Sequence, residues 1–241
     1  MGSTAAEREK DYTTRQIRAV KAARDLSRRL AYPSIKNLKE AIRNGGILNS
    51  GITVRDVDRA EAIWGPALAV IKGRSTGHVS PMESERAQQT EQDEALRTDI
   101  MFVNGYAFLV SVCKPQQYVL IDRVRSKSSE HLRAGLTSQI SRMKGHGVTV
   151  KEIRSDPESG VESVIEWKKA QKVIPEILEA GEMVQAAERA IKQIKERMRC
   201  VLSGLRFVMP KSWTPFLAEY CVQRVNMMRS SVSPVETCEG R

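Results

Sequence analysis

Three carboxylates stand where a fold with a central sheet could bring them together. Asp99 lies in an apolar, strand-like segment, Asp156 follows a second such segment at a turn with Pro157, and Glu188 lies in a long helical pattern. The first two are 57 positions apart and the last two 32. Carboxylate oxygens suit Mg²⁺ or Mn²⁺, and two such ions held about 4 Å apart catalyse phosphoryl transfer. The residue types therefore predict a two-metal site.

Each of these acids also has an ordinary structural explanation. Asp99 can begin a strand, Asp156 can form a turn with the following proline, and Glu188 can be one of many surface glutamates. Each explanation is individually the more frequent one. Only the joint occurrence of the three acids on these elements favours a metal site.

A row of basic residues follows Glu188 on the same predicted helix. Lys192 and Lys195 stand four and seven residues after it, and therefore on one helix face. Together with Arg189 and Arg199 they form a basic ridge beside the predicted metals. A solvated face with an ordinary glutamate–lysine pair explains each lysine equally well.

Sequence periodicity predicts the elements that must position these side chains. The Asn104-Gly105 dipeptide is a strong hairpin signal and predicts that two antiparallel strands meet there. If the first strand lies beside the fourth at the centre of a sheet, Asp99 and Asp156 become neighbours. The third and fourth strands are separated by a helix and can lie parallel. The predicted strands and helices are, in order, strands 99–103, 106–113 and 118–124, helix 128–143, strand 148–154, helix 158–170, an extended piece at 172–174, and helices 182–202 and 215–228.

The beginning of the chain has the pattern of three helices. The first covers 14–32, is rich in Arg and Lys, and is stopped by Pro33. The second covers 35–42, and the third begins after Thr53, whose hydroxyl can cap it. The basic helix is explained equally well as a solvated face of a packing helix and as a surface that contacts phosphates.

Composition narrows the class of protein. The 241 residues include 39 Lys+Arg and 29 Asp+Glu, which gives a net charge of +10 and favours a polyanionic partner, nucleic acid first and anionic membrane second. No apolar window is long enough to cross a bilayer and the first ten residues are charged, so we expect a soluble, intracellular protein without a membrane partner. No Walker-type phosphate loop occurs. The four cysteines are too scattered for a zinc knuckle; they are Cys113, Cys200, Cys221 and Cys238.

Several segments resemble the integrases of retroviruses and long-terminal-repeat retrotransposons. The segment 98–108 is similar to the first hairpin of that family's catalytic core, 153–160 to its second-aspartate turn, and 187–199 to its glutamate helix. The resemblance spans roughly 98–230. Upstream, 52–66 is similar to the segment that precedes the core in retrotransposon polyproteins.

This resemblance implies an α/β fold with an RNase H-like, mixed five-stranded sheet flanked by helices. It also implies two-metal processing of DNA 3′ ends and strand transfer, with Asp99 bridging both ions and Asp156 and Glu188 holding one each. DNA would be the partner, Arg189, Lys192, Lys195 and Arg199 would contact it, and a homo-oligomer would act in the nucleus. The implied parts are a helical upstream region at 1–75, a linker at 76–97, the catalytic core at 98–230 and a tail at 231–241.

The resemblance is to the family's core rather than to its whole architecture. Neither the zinc-binding module that usually precedes the core nor the DNA-binding module that usually follows it is visible, so we expect either a fragment of a retroelement polyprotein or a decayed genomic copy. Two other functions stay open. One is a catalytically silent nucleic-acid-binding remnant. The other is an RNase H-type nuclease, which would need a further acid on the helix after the meander, where Glu130 lies too near the start.

Overall fold

The computed structural model describes residues 4–75, 95–126, 128–155, 174–177 and 185–228. In these ranges a run of helices precedes a mixed α/β region. The helices of the first region are α1 (Ala5–Glu9), α2 (Thr14–Arg29), α3 (Ile35–Arg43), α4 (Val54–Trp64) and α5 (Leu68–Arg74). The second region contains β1 (Ala95–Val103), β2 (Tyr106–Lys114), β3 (Tyr118–Val124), α6 (Ser129–Gly145), β4 (Glu152–Ser155), β5 (Ile174–Ile177), α7 (Gln185–Gly204), a 3₁₀ turn (Lys211–Trp213) and α8 (Thr214–Asn226). No helix in the described ranges is long and apolar enough to span a bilayer.

The chain divides into two compact units, each discontinuous in sequence. The helical unit takes its described residues from 4–75, 196–209 and 227–228. The sheet unit takes its described residues from 95–195 and 210–226. The sequence predicted continuous parts with a linker at 76–97, whereas the last residues of α7 pack with the helical unit and β1 begins at Ala95, inside the predicted linker.

Capping and amphipathic packing build the helical unit. Thr53 and Asp56 form a reciprocal capping box at the start of α4, as the threonine predicted. Val20 of α2 packs against Ile63 of α4, and both side chains are fully buried. The helix predicted over 14–32 ends at Arg29, because the backbone turns into the left-handed region at Ala31 before the proline is reached.

The second unit is built on a mixed five-stranded sheet in the order β3-β2-β1-β4-β5. The β1–β2 and β2–β3 pairs are antiparallel, whereas β4 runs parallel to β1 and to β5. The two-residue turn Asn104-Gly105 joins β1 to β2 with positive φ at both positions, which confirms the hairpin prediction. The α/β class and the placing of the first strand beside the fourth are also confirmed.

One face of the sheet is covered by α6. Leu132, Leu136 and Met143 of this helix belong to one buried apolar cluster with Leu96 and Ile100 of β1, as the predicted helical stripe requires. The strand predicted over 148–154 pairs only over Glu152–Ser155, since the apolar residues before it enter the core without joining the ladder. The helix predicted over 158–170 lies outside the described residues.

The outer strand β3 is closed by a side chain of α8. Asn226 accepts a hydrogen bond from the backbone N–H of Val119 and donates one to its carbonyl, both at 2.9 Å. Asn226 is 3% exposed and Val119 4%. These two bonds satisfy backbone groups on the open edge of the sheet, where an unpaired strand would otherwise be exposed.

Candidate active site

Asp99 occupies the middle of the central strand β1. Its neighbours Leu96 and Ile100 enter the core under α6, and side chains alternate along a strand, so Asp99 projects from the opposite face of the sheet. Its carboxylate is half-buried, and Oδ1 accepts a hydrogen bond of 2.6 Å from the backbone N–H of Ile100. This bond contributes to fixing the orientation of the carboxylate.

The parallel pairing of β1 with β4 ends next to Asp99. The register pairs Thr98 with Ser155, and Ser155 is the last residue of β4. In the sequence, Asp99 therefore comes directly after the last residue of β1 that pairs with β4. Asp156 comes directly after the last residue of β4. Asp156 itself lies outside the described residues. Binding sites of α/β sheets form at the carboxyl ends of parallel strands. The β1–β4 pairing stops at the carboxyl end of β4.

A buried polar network lies on the α6 side of the same position. Thr98 Oγ1 is 2.8 Å from Ser111 Oγ, Ser111 donates to Gln139 Oε1, and Gln139 Nε2 donates to the carbonyl of Leu109 at 3.1 Å. All three polar side chains are fully buried. Because Gln139 Oε1 can only accept, Ser111 must donate to it and Thr98 must donate to Ser111. The network therefore ties β1, β2 and α6 together just before Asp99.

Sequence reasoning missed this network, although a signal for it exists. Ser111 stands among valines in β2, and Thr98 stands in an otherwise apolar inward-facing row of β1. A buried hydroxyl needs a partner, so such positions predict a polar contact across the strands. Ser155, the register partner of Thr98, is also fully buried, and its Oγ has no hydrogen-bond partner within the part of the chain that the structure describes.

The polar cluster extends to Asp122 of β3, which is hydrogen-bonded to Gln139 and Ser138 of α6. Burial raises the pKa of Asp122, opposed by the Arg142 cation and by hydrogen bonds from Gln139 and Ser138. Arg142 forms an ion pair with this carboxylate. Asp122 is on β3, two strands away from Asp99 in the sheet order, and it is not one of the predicted ligands.

Glu188 lies in the first turn of α7. Ala187, Ala190 and Ile194 of this helix belong to the sheet unit and are buried, and Glu188 is half-buried at the border of this apolar face. A carboxylate near a helix N-terminus is also favoured by the helix dipole, so a structural role accounts for part of this placement. Asp99 and Glu188 both belong to the sheet unit.

The structure places the predicted DNA-contacting residues in two groups. Arg189 and Lys192 are exposed and Lys195 is half-buried, and all three belong to the sheet unit. Arg199 belongs to the helical unit, where its Nε donates to the carbonyl of Gly73 at 2.8 Å. DNA contact by these residues stays a prediction, and for Arg199 a structural role is now also visible.

The donor chemistry fits divalent cations of the hard type. The predicted set consists of three carboxylates, whose oxygens suit Mg²⁺ and Mn²⁺. Within the described ranges no group of three His, Cys, Asp or Glu residues is close enough together to hold a metal ion. Only two members of the predicted triad, Asp99 and Glu188, fall in those ranges.

Comparison with known proteins gives similarity of structure but none of sequence. No family model matches the chain, and no curated protein matches it. Among solved structures, it is similar to the catalytic core domain of BIV integrase, with 14% sequence identity and a TM-score of 0.48. This similarity covers 61% of the present chain and 95% of the viral domain. A sequence identity and a TM-score this low carry no information about activity.

Proposed function

We propose that this protein is an integrase-type polynucleotidyl transferase that processes DNA 3′ ends and joins them to other DNA. The observation that carries the proposal is the pairing of Thr98 with Ser155 at the end of the parallel β1–β4 ladder. Asp99 and Asp156 each follow one of these partners in the sequence. This register supports the proposal that two acids far apart in the chain act at one end of the β1–β4 pair.

Asp99, Asp156 and Glu188 would hold two Mg²⁺ or Mn²⁺ ions. Such ions activate the attacking oxygen and stabilise the leaving one in an in-line displacement at phosphorus. Asp99 contributes an oriented carboxylate, since the amide of Ile100 holds one of its oxygens. Glu188 contributes a carboxylate at the border of the buried face of its helix.

The basic residues that follow Glu188 would position the DNA. Arg189, Lys192 and Lys195 would bind phosphates next to the reacting one, and Arg199 extends the row in sequence. The substrate in this proposal is the end of a retroelement DNA together with target DNA. A homo-oligomer acting in the nucleus would present two such ends together.

A nicking and joining assay on labelled duplex DNA tests the proposal. The wild type should nick or join the duplex in the presence of Mn²⁺. The activity should fall on the order of 100-fold or more in each of the variants Asp99→Asn, Asp156→Asn and Glu188→Gln, because each removes a charge that holds the ions. Glu130→Gln is the matched control, an exposed acid in the first turn of α6, and should act like the wild type.

Metal binding gives a second readout that does not need activity. Saturating Mn²⁺ should raise the unfolding temperature of the wild type, because a ligand that binds only the folded state stabilises it. The rise should be absent in Asp99→Asn. DNA binding without either effect would establish the silent nucleic-acid-binding protein instead. Cleavage of the RNA strand of a hybrid that depends on Glu130 would establish the nuclease.

A further inference from the structure

The helical unit carries a cationic helix face that its fold does not use. Arg15, Arg18 and Lys21 follow one another at intervals of three residues on α2, and all three side chains are exposed. Within the described part of the chain none of them has a hydrogen bond or an ion pair. We call these three residues the α2 cation row.

A third arginine of the same helix, Arg24, shows what a structural role looks like here. Arg24 forms a salt bridge of 3.0 Å to Glu61, donates to the carbonyls of Ala60 and Gly65, and lies 5.9 Å from the centre of the Trp64 ring. It holds α2 on α4 and the residues after it. Within the ranges that the structure describes, the α2 cation row makes no contact of this kind, so packing there does not explain its charges.

The row is also placed where it weakens the helix. Arg15 is the second residue of α2, at the end where the helix dipole favours acids, and the first turn contains no acid. Arg18 is three residues from both Arg15 and Lys21, a spacing at which like charges repel. A polyanion bound along the row would remove both penalties.

The surroundings of the row strengthen its positive field. Residues 1–75 contain 15 Lys and Arg and 8 Asp and Glu, so they carry +7 of the chain's +10. The one acid on the exposed side of α2, Asp25, is paired with Arg28 at 3.0 Å. From Arg15 to Arg28 this face is about 20 Å long, which matches about six phosphates of one DNA strand along the duplex axis.

We infer that the exposed face of α2 binds the phosphate backbone of double-stranded DNA. The alternative polyanion, an anionic membrane, requires an amphipathic helix with an apolar face to insert. In α2 that face is already occupied, because Val20 and Ala23 are buried against other helices of the unit. Binding at this face does not depend on the carboxylates proposed above to hold metal ions.

Fluorescence anisotropy of the full chain with a labelled duplex, in EDTA and at several salt concentrations, tests the inference. The measured quantity is the slope of the logarithm of the binding constant against the logarithm of the salt concentration. In the variant Arg15→Gln/Arg18→Gln/Lys21→Gln this slope should be shallower by about 2 to 3, since each lost phosphate contact reduces it by about 0.9. At 0.1 M salt its affinity should fall on the order of 100-fold by the same relation. Its unfolding temperature should not fall, because the removed charges repel one another.

The matched control is Lys36→Gln/Arg43→Gln/Arg55→Gln. It removes the same charge from exposed positions of α3 and α4 in the same unit. Its salt slope should change by less than about 1. An equal loss in both triple variants would overturn the inference, because net charge alone would then account for binding. Unchanged duplex binding by the α2 variant, or loss of its binding to phosphatidylserine vesicles only, would overturn it too. EDTA separates this test from failure of the metal site.

Discussion

Replacing Asn226 by leucine should open the edge of the sheet at β3. Asn226 is the last residue of α8, and its side chain makes two hydrogen bonds to the backbone of Val119. Leucine is similar in size and suits a helix, but it neither donates nor accepts. Both backbone groups of Val119 would be left unpaired in a buried position.

The size of the effect follows from the two orphaned groups. A buried donor or acceptor that loses its partner costs about 1–3 kcal/mol. Two such groups, less roughly 0.5 kcal/mol gained from the better helix former, give a loss of about 3 kcal/mol in the free energy of unfolding. For a chain of this length that loss corresponds to a fall of about 6–12 °C in the unfolding temperature.

Urea unfolding and hydrogen exchange measure the global and the local effect separately. The Val119 amide should exchange faster in Asn226→Leu by on the order of 100-fold, because its acceptor has gone. Gln223→Leu, an exposed change on the same helix, is the control and should alter stability by less than about 0.5 kcal/mol. Unchanged exchange at Val119 together with unchanged stability in Asn226→Leu would refute this account of the sheet edge.

Two further changes test buried or capping polar groups. Gln139→Leu should lower the free energy of unfolding by about 2–4 kcal/mol, since it leaves the buried Ser111 hydroxyl without its acceptor. The double variant with Ser111→Ala should cost less than the sum of the two single changes by about 1–2 kcal/mol, and strict additivity in urea unfolding would contradict the network. Burial alone would raise the pKa of Asp56, but hydrogen bonds from Thr53 and Arg59 hold its pKa below the ordinary value of 3.8. The contribution of Asp56 to the free energy of unfolding is therefore present above pH 3.8 and lost as the pH falls through the folded-state pKa. The difference in stability between wild type and Asp56→Asn should accordingly shrink in acid. A difference independent of pH would rule this out.

Local patterns predicted many of the elements. The Asn104-Gly105 turn, the cap at Thr53 and the apolar stripe of α6 are each encoded within a few residues, because they depend on backbone preference and on periodicity along the chain. The same kind of evidence placed Asp99 on a strand and Glu188 on a long helix. Two short helices, α1 and α5, were not predicted, since each is too short to show a full helical period.

The sequence by itself determined the class of fold, the order of the main elements and the residue types available for chemistry. Tertiary structure alone decided which of those residues meet. It set the register that pairs Thr98 with Ser155, and it formed the hydrogen bonds of Asn226 to the edge of β3 and of Arg199 to the carbonyl of Gly73. Their partners are far apart in the chain. Such contacts are selected by the packing of whole elements, so no short window of sequence specifies them.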